Sequence, residues 1–260
     1  MKLSLCLAVY NEINFIHYPL DSAYDFVDEV IIVDGGSTDG TIEKAKSYGS
    51  KVKIISTDNL PMFHINKQKA LEAATGDWVI QLDADEALSD NLKKEITEII
   101  RNNKEHGAHD KLLVAYWLPR KNWFLTRFLT KGGIYPDYTI RMYKRGVAHF
   151  PCKSVHENVE IKGEVGYLKN DLLHYADPDF ARYLYRWVRY AKMDVAFILE
   201  RKEKLNWFSY FIWKPLTWFF LTYFRHRGYV DGFPGFVFAL FSALRNWIIY
   251  IFVWQERHKK

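Results

Sequence analysis

Short apolar, β-branched runs alternate with amphipathic stretches over roughly the first 145 residues. Residues 2–9, 29–33, 51–55, 78–82 and 112–118 read as strands, and the segments between them as helices. Ser89 and Asp90 precede Leu92, Ile96, Ile99 and Ile100, an N-cap followed by an apolar face at helical spacing. Strand and helix in alternation predict an α/β domain, a mainly parallel sheet with flanking helices, whose ligands bind beyond the carboxyl ends of the strands. Three polar clusters, Tyr10-Asn11-Glu12, Asp34 through Gly40 and Asp83-Ala84-Asp85, each fall just past a predicted strand. All three should therefore converge on one edge of the sheet.

From Asp177 onward the pattern changes. Phe180, Tyr183, Leu184, Trp187, Val188, Ala191, Val195 and Ile198 share one helical face, with Arg182, Arg186, Arg189 and Lys192 elsewhere around it. Two aromatic-rich apolar stretches follow, 207–224 and 233–254, interrupted by Lys214-Pro215 and by Arg245-Asn246. Each approaches the roughly 20 residues of a spanning helix, but a central Lys or Arg costs about 2.5–3.5 kcal/mol on insertion. Arg225, His226, Arg227, Arg257, His258, Lys259 and Lys260 flank them. These aromatic amphipathic helices are thus expected to lie in a membrane interface as a peripheral, monotopic anchor, with basic residues toward anionic lipid. The expected division is a catalytic domain over 1–176, with a donor half (1–110) and an acceptor half (111–176), and a helical membrane-interface appendage over 177–260.

Composition narrows the classes. A chain of 260 residues with 49% hydrophobic content can fill a substantial core, so disorder is not expected. Its two cysteines, Cys6 and Cys152, form no Cys-x-x-Cys pair, which leaves zinc sites and disulfide frameworks unsupported and fits a reducing, cytosolic compartment. The run 1–9 is too short for the apolar region of a signal peptide, so secretion is not expected. The net charge of +5 is modest, and no nucleic-acid partner is expected.

Asp83 and Asp85 stand at i and i+2 after an apolar strand, so a turn at Ala84 lets both face a divalent cation. Magnesium takes oxygen ligands from one or two carboxylates plus substrate phosphate oxygens, and such an ion neutralises charge developing on a leaving diphosphate. In the second cluster, Gly35 and Gly36 let backbone approach a ligand, Asp34 can accept hydrogen bonds from a nucleobase or ribose, and Ser37 through Thr41 can start a helix. No Lys-Ser/Thr follows at the spacing of a phosphate loop.

Taken in order, Tyr10-Asn11-Glu12, Asp34-Gly35-Gly36-Ser37-Thr38-Asp39-Gly40-Thr41, Asn66-Lys67-Gln68-Lys69-Ala70-Leu71, Thr75-Gly76-Asp77-Trp78 and Leu82-Asp83-Ala84-Asp85-Glu86 resemble the family 2 inverting glycosyltransferases with the GT-A-type nucleotide-diphospho-sugar transferase fold. That resemblance covers about the first 90 residues. Gly132-Gly133-Ile134-Tyr135-Pro136-Asp137, Arg141-Met142-Tyr143, Ser154-Val155-His156-Glu157-Asn158, Leu173-His174-Tyr175 and Asp231-Gly232-Phe233-Pro234-Gly235-Phe236 are similar to the branch that includes lipopolysaccharide-core glucosyltransferases. Enzymes of this kind would work at the cytoplasmic face of a bacterial inner membrane.

The resemblance implies donor contacts from Tyr10, Asn11, Glu12, Asp34, Lys67 and Asp83. It also implies a divalent metal, magnesium or manganese, at Asp83 and Asp85, with His174 as a candidate third ligand. Arg141, on an expected strand, could pair with a diphosphate or an acidic acceptor through its fork of donors. An inverting transfer needs a base for the acceptor hydroxyl. Many members use an aspartate in a Glu-Asp pair; this chain departs from that pattern and offers His156-Glu157. Glu157 is the expected base, Asp137 the alternative, and His156 would orient Glu157 or touch the acceptor.

The expected reaction moves a hexose, glucose from UDP-glucose, to a saccharide or glycolipid acceptor in lipopolysaccharide or cell-surface polysaccharide synthesis. Polyprenyl phosphate is the alternative acceptor. A sugar nucleotidyltransferase would want an N-terminal Gly-rich loop with Arg and Lys, which 7–12 lacks. A non-enzymatic saccharide-binding protein would leave the acidic clusters at successive strand ends unexplained.

Overall fold

The strand at the centre of the sheet, β1 (Leu3–Val9), alternates its side chains between two apolar layers: Leu3, Leu5, Leu7 and Val9 enter one, and Cys6 enters the other. A strand buried on both faces reads as a mainly apolar run. This holds for β1 and for its neighbours β2 (Glu29–Asp34) and β4 (Trp78–Leu82) in the computed structural model, which describes residues 1–60, 62–105, 113–152 and 159–259. The helices α1 (His17–Ala23), α2 (Thr41–Lys46) and α4 (Asp90–Glu105) place Leu20, Ala45, Leu92 and Ile96 in the first layer. Helix α3 (His64–Ala73) supplies Ala70 and Leu71 to the second. The result is a sheet with helices on both faces.

The remaining strands are β3 (Val52–Ser56), β5 (Glu86–Leu88), β6 (Ala115–Phe124), β7 (Arg127–Phe128), β8 (Asp137–Lys144), β9 (Ala148–His149), β10 (Glu160–Ile161), β11 (Val165–Tyr167) and β12 (Leu172–Asp177). Strand order in the ten-stranded sheet is β3-β2-β1-β4-β8-β6-β12-β5, with β7 and β11 also on β6; β9 and β10 form a separate pair. Pairing is parallel from β3 through β4, then antiparallel where β4 meets β8, β8 meets β6, and β12 meets β5. The sheet is parallel in the half that begins the chain and mainly antiparallel in the half that completes it, where β11 alone of these described pairings runs parallel to β6.

Contacts divide the chain into two compact units, Met1–Arg120 with Asp137–His174, and Lys121–Pro136 with Tyr175–Lys260. In the second, Asp179 caps α5 (Phe180–Glu200) by accepting from the Arg182 amide at 2.8 Å. A π-helical turn (Ser209–Trp213) leads into α6 (Lys214–Phe219), where Pro215 sits in the first turn and so breaks no hydrogen bond. A second π-helical turn (Phe220–Arg225) and a 3-10 turn (Gly228–Asp231) precede α7 (Gly232–Arg257). Helix α7 runs through Arg245-Asn246 without a break, because Arg245 meets Asp194 of α5 at 2.7 Å. Asp231, 1% exposed, explains why 121–136 belongs here: it accepts from the Thr130 amide (2.9 Å), the Thr130 hydroxyl (2.8 Å) and the Lys131 amide (2.8 Å).

Glu29 at the start of β2 is a second buried anchor. It accepts from Ser4 Oγ at 2.7 Å, from the Thr75 amide and hydroxyl at 2.6 and 2.8 Å, and pairs with Lys53 at 2.8 Å. Burial alone would raise its pKa, but Lys53, Ser4 and Thr75 together bring it down to about 2 from about 4.5. A depressed pKa means that the stabilisation is present above about 4.5 and is lost as pH falls toward about 2. Glu29→Gln is expected to cost roughly 2–3 kcal/mol at neutral pH and to flatten the acid limb between these values, read by urea unfolding at stepped pH. Parallel acid limbs in the two proteins would contradict this.

Candidate active site

Sheet register brings the polar clusters to one edge. Val9 pairs with Asp34 and Asp34 with Ser56, while Leu82, one residue before Asp83, pairs with Leu7. The first two loops are stitched together directly. The Asn11 amide donates to Ser37 Oγ at 2.9 Å, the Thr38 amide to Asn11 Oδ1 at 2.9 Å, and the Glu12 amide to Thr41 Oγ1 at 2.8 Å. Asn11 takes a left-handed backbone (φ 55°), a conformation its side chain tolerates when it hydrogen-bonds locally. Asp34 is 5% exposed and accepts from the Ser37 hydroxyl at 2.6 Å, while Tyr10 beside it stays 45% exposed. A Cβ on Gly35 would lie 3.2 Å from Asn59 Cα and 3.5 Å from Tyr10 Cβ, so the loops close tightly at this point.

Asp83 begins a chain of alternating charge. Its carboxylate meets Lys67 Nζ of α3 at 2.5 Å and Arg141 Nη2 of β8 at 2.5 Å. Arg141 also lies 2.9 Å from Glu86 by Nε, donates to Glu86 by Nη2 at 3.0 Å, and donates to Gln81 by Nη1 at 3.1 Å. Glu86, wholly buried, is reached by Arg120 Nη1 at 3.3 Å, and Arg120 grips Asp137 at 2.7 and 3.0 Å. Three cations and three carboxylates alternate, so the buried cluster carries no net charge. Burial alone would raise the Asp83 pKa, but Arg141 and Lys67 hold it well below the usual carboxylate range. Burial presses Lys67 downward against the pull of Asp83, and Arg141, despite burial, is held fully protonated by Asp83 and Glu86.

Lys67, Asp83 and Arg141 line a pocket of about 220 Å³ whose walls are aromatic: Trp117, Tyr138 and Phe150, the last stacked on His64 at 5.2 Å. Asp85 points elsewhere, to His174 Nε2 at 3.5 Å. Adjacent ligands of an octahedral cation bound at about 2.1 Å lie about 3.0 Å apart, so the pair would close by about 0.5 Å to share one. Asp83, by contrast, is already shared by two side-chain cations. No cluster of three or more His, Cys, Asp or Glu suited to a metal gathers among the described residues. Of the expected ligands, the structure joins Asp85 and His174, and it aims Asp83 at Lys67 and Arg141. His156 and Glu157 lie outside the described residues; Asp137 is the end of the charge chain.

Sequence reasoning gave no role to Glu86, Arg120, Gln81 or the aromatic walls. The signal for Arg120 lies in pairing: it stands opposite Asp137 in the β6–β8 register, which has a shift at Tyr116/Trp117 and cannot be counted from the sequence.

Residues 4–160 match the family described as glycosyl transferase family 2. The chain belongs to that family. Among curated relatives of this family 2 chain, an uncharacterized glycosyltransferase of Rickettsia felis is 27% identical over 261 residues, spanning 95% of this chain and 87% of the relative. LpsC of Rhizobium meliloti, a lipopolysaccharide core biosynthesis glycosyltransferase, is 25% identical over 237 residues, spanning 89% and 84%. Among solved structures, the mannosyltransferase PcManGT of Pyrobaculum calidifontis, in complex with GDP-Man and Mn2+, superposes with a TM-score of 0.52 at 15% identity, covering 94% of this chain and 73% of that one. The family 2 chain thus has the GT-A fold and is a glycosyltransferase, which sets aside the nucleotidyltransferase and non-enzymatic readings.

The charge chain predicts strong coupling. Arg141→Leu leaves Glu86 with the Arg120 guanidinium at 3.3 Å and the Asp83 amide at 3.0 Å, and is expected to cost about 3–5 kcal/mol by urea unfolding. Adding Glu86→Gln should recover at least about 1 kcal/mol relative to the sum of the single changes. Simple additivity would show that the two groups do not depend on each other.

Proposed function

We propose that this family 2 glycosyltransferase moves glucose from UDP-glucose, with inversion, to a saccharide or glycolipid acceptor of lipopolysaccharide or another cell-surface polysaccharide. The observation that carries this reading is the convergence of the Asn11–Asp34 loops and the Lys67–Asp83–Arg141 cluster at one sheet edge. Residues 1–110 would form the donor half and 111–176 the acceptor half, with 177–260 meeting the membrane.

Tyr10, Asn11, Glu12 and Asp34 would receive the nucleotide, the exposed Tyr10 ring offering a face to the base. Lys67 and Arg141 would attract the diphosphate while Asp83 fixes their direction. Asp85 and His174, with Asp83, would hold magnesium or manganese, whose Lewis acidity stabilises the departing diphosphate. The Mn2+ in PcManGT supports such an ion. Asp137 Oδ2 is already committed to Arg120, so Glu157 is retained as the base for the acceptor hydroxyl, with His156 orienting it and Asp137 as the alternative.

The relationship to LpsC supports an acceptor at the cytoplasmic face of a bacterial inner membrane. Peripheral attachment is supported by the exposed Trp207, Trp213, Leu216, Phe220 and Phe233, whose apolar area belongs with lipid more than with water. The segment Gly228–Arg257, with mean hydropathy 1.8, is long and apolar enough to cross a membrane, and this favours polyprenyl phosphate as the second acceptor reading.

With UDP-, GDP-, ADP- and CMP-sugars offered in turn, UDP-glucose is expected to give the fastest release of free nucleotide. EDTA should stop the release, and Asp85→Ala should reduce it by at least about 100-fold. A preference for another nucleotide would refute the donor assignment; EDTA-resistant turnover would refute the Asp85–His174 metal site.

Binding to sedimented vesicles should rise with anionic phosphatidylglycerol content over pure phosphatidylcholine, and Trp213→Ser with Phe220→Ser should weaken it about tenfold or more. Equal recovery from both vesicle types would argue against an anionic surface.

A further inference from the structure

A second cavity lies wholly inside the helical unit, among α5, α6 and α7, with a volume of about 400 Å³. That volume falls within the roughly 300–1,000 Å³ typical of small-molecule sites. Two ion pairs line it: Arg186 donates to Asp177 at 3.0 Å, and Arg245 to Asp194 at 2.7 Å. Trp187 and Trp218 add aromatic faces, the first fixed by its indole N–H donating to the Phe241 carbonyl at 3.0 Å.

This lining is costly for a purely structural role. Arg245 interrupts an apolar helix, half-buried ion pairs contribute little net stability, and well-packed apolar side chains in their place are often as stable or more so. The Arg245 Nε–H is buried with no hydrogen-bond partner among the described residues, although the same guanidinium reaches Asp194 through Nη2.

We propose that this cavity binds a neutral saccharide unit, at a site separate from the Asp83 pocket of the α/β unit. The ligand's class follows from the charge balance. Two guanidinium groups and two carboxylates sum to zero, and they offer donors and acceptors side by side. A sugar hydroxyl donates and accepts at once, so it satisfies both kinds of group. A phosphate would be drawn to Arg186 and Arg245 but repelled by Asp177 and Asp194, which already pair with those arginines. The apolar C–H face of a pyranose ring matches the exposed Trp218 indole. A remote sugar held here would supply binding energy away from the reacting bond. The ligand's class comes from the lining and not from the reaction, so this site and the proposed function can fail independently.

The test uses the full chain with a panel of neutral disaccharides spanning gluco, galacto, manno and heptose configurations at millimolar concentration, beside inorganic phosphate and glucose 1-phosphate. Saturation-transfer NMR reads sugar binding, and calorimetry of UDP binding on the same sample reads the α/β unit. At least one neutral disaccharide is expected to bind, to weaken fivefold or more in Trp218→Ala and in Asp194→Asn, and to be unaffected by Tyr138→Ala in the other pocket. Circular dichroism confirms that the variants keep their helices. Three outcomes overturn the proposal: no disaccharide in the panel binds, binding survives both cavity substitutions, or phosphate displaces the sugar. Disaccharide binding without any nucleotide binding would instead sink the donor reading and leave this one standing.

Discussion

A carboxylate cannot be buried alone, and Glu86 is wholly buried. Its partners come from separate strands: Arg141 from β8 and Arg120 from β6, each of which must also serve a second acid, Asp83 or Asp137. Satisfying one acid therefore fixes how β8 and β6 lie against the turn that follows β4. That turn is where the parallel half of the sheet gives way to the antiparallel half. Lys67 extends the same constraint to α3. The geometry at Asp83 is set by electrostatic neutrality across five elements more than by any one loop.

This constraint also sets the chemical character of the pocket. A cluster with equal numbers of cations and carboxylates is neutral in the resting protein, and Asp83 stays ionised within it. The proposed diphosphate would compete for Lys67 and Arg141 with a carboxylate already seated between them, and because the cluster is neutral the charge of the diphosphate would call for a further cation such as the proposed metal. The proposed metal pair, Asp85 and His174, meets at 3.5 Å through side chains that are not members of this charge chain.

The parts legible in the sequence are those governed by local pattern. Residues 2–9, 29–33 and 78–82 read as strands because burial on both faces favours mainly apolar runs, and the rule for strand ends places the polar clusters that follow them. The order of motifs from Asn11 through Asp85 carried the family. What remained illegible was non-local. The antiparallel completion through β6, β8 and β12 depends on register across long connections, and with it go Arg120 opposite Asp137 and Glu86 beneath Arg141. The aromatic tail was legible as apolar, but the pairing of Arg245 with Asp194 required knowing which faces of α5 and α7 meet.

Asp231 binds the backbone of Thr130 and Lys131 from a position about 100 residues later in the chain. The helical unit is consequently assembled from two stretches of sequence that the α/β unit separates, and neither stretch is self-sufficient. A cut after residue 176 would strand two amides and a hydroxyl that need Asp231, and grafting the last 84 residues onto another enzyme would leave that carboxylate buried without donors. In inheritance as in engineering, the segment 121–136 and the tail have to travel together.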